Sequence, residues 1–370
     1  MMWRIHYLAM CLRFRPVVAT SLRKTTGYVN IHSRVGLCKA RLCRFTQAWI
    51  IFMFVLWLTG CDGQQSTLSP AGRGAERIAD LFWWMTAGAT IIWLFIVALT
   101  IYSIRIRPEA HNHRQTKFLI IGGGAVLPTV VLAILLAYGL ALLPDLVAPA
   151  PEGSLKIAVS GEQWWWRVRY QQADGQAIEI ANEIRLPAGV PVEFQLESND
   201  VIHSFWIPSI GGKVDMFPGR LTRLFLEPTR TGTFRGVCAE YCGASHALMS
   251  FPVTVLEKEE FARWLEQEAK PAQAPAEPIA AQGQQLFLAQ GCNACHTVRG
   301  TPATGVIGPD LTHIGSRLSI GAGTLPNEPD SLRRWIAHTE DVKPGVLMPA
   351  FRMLPPDELE ALVVYLSGLK

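Results

Sequence analysis

The sequence predicts a multidomain protein: a transmembrane α-helical hairpin, then an all-β domain, then a small all-α domain. Three observations predict it. Residues 81–104 and 118–144 are uncharged, and each run exceeds the ~20 residues a helix needs to cross the hydrocarbon core. Residues 154–255 contain short alternating runs broken by Gly, Pro and Asn-Asp, with no long stretch of period 3.6 between them. Beyond a Pro/Ala-rich linker, a Cys-Asn-Ala-Cys-His segment is followed by the amphipathic pattern of residues 357–369.

The first element is a leader, residues 1–60. Of the 34 Lys and Arg, nine fall in residues 1–46, which contain no Asp or Glu. From Gln47 onward the balance is 25 basic against 30 acidic residues, so the basic excess is no nucleic-acid patch. Arg41 and Arg44 precede the uncharged AWIIFMFVLWLTGC, the order of a secretory signal. Leu58-Thr59-Gly60-Cys61 resembles a bacterial lipobox, which implies cleavage and a lipid on Cys61; the alternative is an ordinary membrane helix. Residues 61–80 are then a short external segment.

The hairpin itself is residues 81–144. The loop between its helices carries Arg105, Arg107, Arg114 and Lys117 against Glu109 alone. The positive-inside rule makes that loop cytoplasmic. Both ends of the hairpin, and everything after Asp145, are expected outside. Gly122, Gly123 and Gly124 permit close helix packing. A hairpin presenting soluble domains suggests a subunit that docks on a larger membrane partner.

Residues 150–260 form the β domain, a small sandwich or Greek-key barrel. The stretch CAEYCGASHALM, residues 238–249, follows one of its strands, and His203 follows another. A Cys238–Cys242 disulfide is chemically possible after export. It would leave His203, His246 and Met249 unexplained. Thiolates, imidazoles and a thioether together favour a soft redox metal such as copper. A single blue-copper ion would need one Cys, two His and a weak Met, and this set has one cysteine too many. Two thiolates bridging two coppers use all of it: one His on each ion, Met249 on one and a carbonyl on the other.

Residues 261–278 are a helical tail and a semi-rigid linker, KPAQAPAEP. Residues 279–370 form the last domain. Cys292, Cys295 and His296 make the C-x2-C-H motif of covalent c-type haem: both thiols bond the porphyrin and the histidine ligates iron. The sixth ligand should be Met or His, with Met348 and Met353 the candidates. Met353 is expected to pack near the start of the last helix. The helix around Leu286 and Phe287 is expected to pack under residues 357–369. His313 and His338 are expected to be satisfied surface or loop residues.

VIHSFWIP and CAEYCGASHALM together resemble the signature of subunit II of the haem–copper cytochrome c oxidases, over about residues 75–260. That resemblance implies a cupredoxin-like fold and a dinuclear CuA centre. Its ligands would be His203, Cys238, Cys242, His246, Met249 and the backbone carbonyl of Glu240. The Glu240 side chain would reach a Mg²⁺ at the interface with subunit I. GEQWWWRVRY is similar to the family's aromatic strand, and Trp164 matches the tryptophan where electrons enter. Trp165 reads better as packing. KVDMFPGR, residues 213–220, also fits, near the subunit I interface. Met348-Pro349 resembles the axial loop of class I cytochromes c, and IGPDL with Pro309 the loop supporting the proximal histidine. The whole resembles a caa-type oxidase subunit with a fused cytochrome c.

The resemblance implies a membrane complex with subunits I and III, two-pass in the bacterial inner membrane, its soluble domains on the extracytoplasmic face. Electrons from a donor such as cytochrome c or a quinol–cytochrome c reductase would enter at haem c, pass to CuA and continue to subunit I, where O₂ is reduced. The alternatives are a CuA subunit of a nitric oxide reductase and a free-standing redox or copper-delivery protein. One position departs from the family: Ile121 stands seven residues before Pro128, where many members carry the glutamate of a proton channel.

Overall fold

The computed structural model describes residue 49 and residues 63–106, 112–172 and 175–370. The leader, Trp49 apart, and Cys61 lie outside the described residues. Helix α1, Arg73–Ile101, continues as a π-helical turn over Tyr102–Ile106. It starts ahead of the uncharged run, because its first turns belong to the β domain. Ala75 and Ala79 are buried there. Arg73 pairs with Glu227 at 2.6 Å, and the Thr229 hydroxyl donates to Glu76 at 2.6 Å. Charges that cannot enter lipid are thus used to fix the helix on the domain it carries.

The second membrane helix runs as α2, His113–Phe118, a π-helical stretch, Leu119–Val126, and α3, Leu127–Val147. The wider i→i+5 turns coincide with Gly122–Gly124, where missing side chains leave the backbone free to unwind. Ile121 lies in this stretch and is exposed. Trp84 and Phe118 are 75 and 79% exposed, and the most apolar stretch of each helix is uncovered by protein. Such surfaces suit lipid, not water. The chain is a membrane-anchored protein with an extracytoplasmic domain.

Ten strands follow: β1 Leu155–Glu162, β2 Trp165–Gln171, β3 Ala177–Ala181, β4 Ile184–Pro187, β5 Val192–Ser198, β6 His203–Trp206, β7 Lys213–Met216, β8 Thr222–Leu226, β9 Gly232–Cys238 and β10 Ser250–Leu256. They form two five-stranded sheets, β3-β2-β1-β5-β8 and β4-β10-β9-β6-β7. The pairs β1–β5 and β4–β10 are parallel and the rest antiparallel. Period-2 alternation does the sorting: Val192, Phe194 and Leu196 point inward on β5 and are fully buried. Trp166, Phe205 and Phe251 meet at ring distances of 5.1 to 5.7 Å and floor one end of the sandwich. Each such aromatic contact contributes about 0.5–1.5 kcal/mol beyond area burial.

Helix α4, Lys258–Ala269, packs Phe261 and Trp264 on Tyr170. The C-terminal unit contains α5 Pro278–Ala289, the short hairpin β11 Ser319–Ile320 and β12 Leu325–Pro326, α6 Pro329–Ala337, α7 Thr339–Val342 and α8 Pro356–Gly368. Its core is separate from that of the sandwich. Helices α5 and α8 cross as the pattern predicts, with Phe287 edge-on to Tyr365 at 5.8 Å. The crossing is close because Gly283 has no side chain. A Cβ there would fall inside contact distance of the Ala361 backbone carbonyl. Gly283→Ala should therefore cost about 1–3 kcal/mol of overpacking, more than the ~1 kcal/mol gained in helix propensity. Denaturant unfolding of the C-terminal unit checks this; unchanged stability would mean that the crossing does not depend on the glycine.

Candidate metal centre and cofactor cavity

The strand register brings the first donors together. Strands β6 and β9 pair antiparallel with Phe205 opposite Cys238, so His203, at the start of β6, lies beside the end of β9. The loop between β9 and β10 closes where the Cys238 amide donates to the Met249 carbonyl at 2.9 Å. A 3₁₀ turn, His246–Leu248, returns the chain to the same end. Cys238, Cys242, Met249 and His203 are all buried, and His246 is half-buried under the exposed ring of Tyr241.

The sulfur atoms of Cys238 and Cys242 stand 3.8 Å apart, and both cysteines are free. Nδ1 of His203 is 3.8 Å from Cys238 Sγ, and Nδ1 of His246 is 3.5 Å from Cys242 Sγ. Met249 Sδ lies 3.8 Å from Cys242 Sγ, and the Glu240 carbonyl 3.2 Å from Cys238 Sγ. All six predicted donors thus meet in one place. Among the described residues, His203, Cys238 and Cys242 form the one group of three His, Cys, Asp or Glu ligand atoms within 4.8 Å of one another. The Glu240 residue is exposed and joins no such carboxylate cluster. The donor set is soft, dry and convergent, which fits copper.

Electrostatics prepare the donors. Hydrogen bonding from Cys242, against the cost of burial, pulls the Cys238 thiol far below its ordinary value. The same contact, with burial, pushes Cys242 up, so the pair shares one negative charge. Burial opposes the His203 imidazolium, but Cys238 and Asp200 outweigh it and raise the pKa. Asp200 Oδ1 lies 2.8 Å from His203 Nε2. The carboxylate accepts, so Nε2 carries a proton and Nδ1, on the sulfur side, is the nitrogen left to ligate a metal. Asp200 was not legible as a site residue; its only signal is a turn dipeptide, Asn199-Asp200, three residues ahead of His203.

The second site is a cavity of about 470 Å³ whose wall includes Cys292, Cys295, His296, Met348, Phe351 and Leu366. Helix α5 ends at Ala289, and a left-handed turn at Gly291 redirects the chain into Cys292–Ala294. His296 Nδ1 is 2.8 Å from the Pro309 carbonyl. A carbonyl only accepts, so Nδ1 holds the proton and Nε2 keeps its lone pair. The ring is pressed against Gly308, where a Cβ would lie 2.6 Å from Cε1. Burial lowers the His296 pKa and keeps the imidazole neutral, the state that ligates metal. Free thiols, a neutral imidazole and a thioether around an apolar space fit a covalent haem.

Met348 lines this cavity, held by the Thr339 hydroxyl donating to its carbonyl at 3.1 Å. Met353 does not pack at the start of α8 as expected: it is 75% exposed in the turn ahead of the helix. His313 is a loop residue, as expected, but it does not lie at the surface. It is buried, and its Nε2–H donates to the Lys270 carbonyl at the start of the linker. His338 is the expected exposed residue, 3.3 Å from Asp341. Trp165 stacks beneath the Arg167 guanidinium at 4.7 Å.

Trp164 joins the two sites. It sits on the two-residue turn between β1 and β2, where Glu162 pairs with Trp165. It is 7% exposed, and its Nε1–H donates to the Cys242 carbonyl at 2.9 Å. The far edge of the ring approaches Gly345, three residues before Met348, and the ring also lines the cavity.

Both soluble domains are similar to known proteins. Residues 171–256 match the family model of the cytochrome c oxidase subunit II periplasmic domain, and residues 280–370 that of cytochrome c. Cytochrome c oxidase subunit 2 of Alkalihalophilus pseudofirmus is 35% identical over 338 residues, covering 85% of this chain and 94% of that protein. The Bacillus subtilis protein of the same name is 30% identical over 348 residues, covering 87 and 96%. A crystal structure of the periplasmic domain of subunit II of cytochrome oxidase (CoxB) of Bradyrhizobium japonicum is 34% identical. It covers 32% of this chain and 95% of that one, at a TM-score of 0.30.

Asp200→Asn should keep the fold but loosen the His203 ring, lowering copper affinity about 10–100-fold. Competitive copper titration of the metal-free protein measures it. Unchanged affinity would mean that Asp200 does not orient the histidine.

Proposed function

Because the chain belongs to the cytochrome c oxidase subunit II family, in a form that carries its own cytochrome c domain, we propose that it moves electrons in series, from a haem held in the C-terminal cavity to copper held by the β9–β10 loop and on to subunit I. As an oxidase subunit it works in a membrane complex, and O₂ reduction lies in the partner. When bound, the haem and a dinuclear copper centre each supply one-electron redox chemistry. The rest is done by the chain's own residues.

His203, Cys238, Cys242, His246, Met249 and the Glu240 carbonyl would hold the copper. Cys292 and Cys295 would bond the haem through their sulfurs, and His296 and Met348 would hold its iron. Asp200 and the Pro309 carbonyl each hold a proton on one ring nitrogen and so free the other. The aromatic floor of Trp166, Phe205 and Phe251 excludes water beneath the copper loop and limits movement there. A rigid, dry site changes little in geometry when its charge changes by one.

The observation that carries the serial order is the position of Trp164. A tryptophan that received electrons from a soluble donor would need an exposed ring. This ring is covered by the Gly345 loop on one side and bonded to the Cys242 carbonyl on the other. That supports a role between the two centres. The linker adds to it: tethering raises the effective concentration of the haem domain near the copper loop to roughly the millimolar range. The donor would then meet the haem domain, whose Leu347, Val306 and Ile307 are exposed. A two-pass topology in the inner membrane, an anchoring lipid on Cys61 and contacts with subunit III belong to the same proposal.

Stopped-flow reduction, following haem and copper separately, tests the order. Met348→Leu should lower the haem potential and slow delivery from the donor, with the copper spectrum intact. Cys242→Ser should leave the haem reducible and the electron stranded there. Copper reduced at the normal rate in a variant without functional haem would contradict the series.

A further inference from the structure

The sandwich and the C-terminal unit meet through a small set of polar contacts, and most of them converge on the copper loop. The hairpin β11–β12 turns through Gly321, Ala322 and Gly323, all with positive φ. Its tip lies on the start of β10. The Ser250 amide donates to the Ala322 carbonyl at 3.1 Å, and a Cβ on Gly323 would collide with Ser250 Oγ. The Ser245 hydroxyl donates to the Pro344 carbonyl at 2.6 Å. At the centre is Lys343, 1% exposed. Its Nζ donates to the carbonyl of Leu248, in the copper loop, at 2.9 Å, and to that of Gly321, in the β11–β12 turn, at 2.8 Å.

We propose that Lys343 is a positioning residue for electron transfer: its amine, clamped between the Leu248 and Gly321 carbonyls, sets the one docked arrangement in which the Gly345–Met348 loop lies on Trp164. The serial reading above supplies the consequence for electron flow; the clamp stands on the contacts alone.

The physical reason is selectivity. Taking a lysine nitrogen out of water is costly unless its hydrogens find acceptors. Burial here pushes the ammonium down to about 7. An arrangement of the two units shifted by a few ångströms would still bury apolar surface. It would, however, leave the Lys343 nitrogen without acceptors, and that disfavours it. Polar groups buried with full partners act against wrong registers more than they add to affinity. The contacts are also short in reach. Leu248 immediately precedes Met249, and Lys343 is two residues from Gly345, so the clamp and the Trp164 contact move together.

Hydrogen exchange on the full-length chain, loaded and purified in detergent, reads the docking directly. The Ser250 amide is held across the interface by Ala322 and should exchange slowly in the wild type. Lys343→Met keeps length and removes the donors. It should speed exchange at Ser250 by about tenfold or more, leave α8 protected and leave the haem absorption unchanged. Haem-to-copper transfer after flash reduction should slow by a similar factor. Unchanged exchange at Ser250 in Lys343→Met overturns the proposal, as does fast exchange there in the wild type. Loss of protection throughout α8 overturns it as well, since Lys343 would then be a folding residue of its own unit. Faster Ser250 exchange with transfer unslowed overturns the positioning role, whereas absence of haem-to-copper transfer in the wild type would count against the serial reading instead.

Discussion

The hydrogen bond from the Cys238 amide to the Met249 carbonyl is the constraint on which the rest depends. It carries the β9–β10 ladder one step past Val237 and Ser250, the last ladder pair. Closing the loop there forces everything between onto one end of the sandwich. Cys242, His246 and Met249 come within reach of Cys238 because the chain has nowhere else to go. His203 joins them through the β6–β9 register, and the aromatic floor under that register keeps it from slipping. A one-residue shift would turn His203 to the other face of its sheet.

The same loop is also the docking surface. The Cys242 carbonyl accepts from Trp164 and from Gln163 Nε2, while the Leu248 carbonyl accepts from Lys343. Loop backbone that would otherwise face water is satisfied from β1–β2 on one side and from the C-terminal unit on the other. The residues that hold the copper donors still are therefore those that bring the second cavity close. Arg167 extends the seam, donating to the Val306 carbonyl at 2.9 Å beside Glu162 and Glu179. Leu318 closes it, its amide donating to Glu183 at 2.8 Å.

Much of this was legible in the sequence, and for a chemical reason. Cys, His and Met at C-x3-C-x3-H-x2-M, and Cys292, Cys295 and His296 at C-x2-C-H, are spaced by what the metal needs, so the spacing survives in one dimension. The two membrane runs and the β alternation were equally plain. The residues that act through other residues were not. Asp200 orients His203 from a turn, and any acidic turn residue looks the same in sequence. Lys343 looks like one more surface charge in HTEDVKPG until the fold buries it. Met353 was misplaced, and the depth of His313 in its loop was hidden, for the same reason: burial of a single side chain in a loop is decided by tertiary contacts that leave no periodic trace. The early start of α1 at Arg73 was hidden because a charged turn reads as the end of a membrane helix, not as the part that packs on a neighbouring domain.

On the proposed serial reading, one chain holds a dinuclear copper centre beside a covalent haem. Elemental analysis of the purified, fully loaded chain tests it most directly. The account expects two coppers for each iron, with copper falling and iron unchanged in a chain carrying both Cys238→Ser and Cys242→Ser. One copper per iron, or copper that survives loss of both thiols, would contradict it.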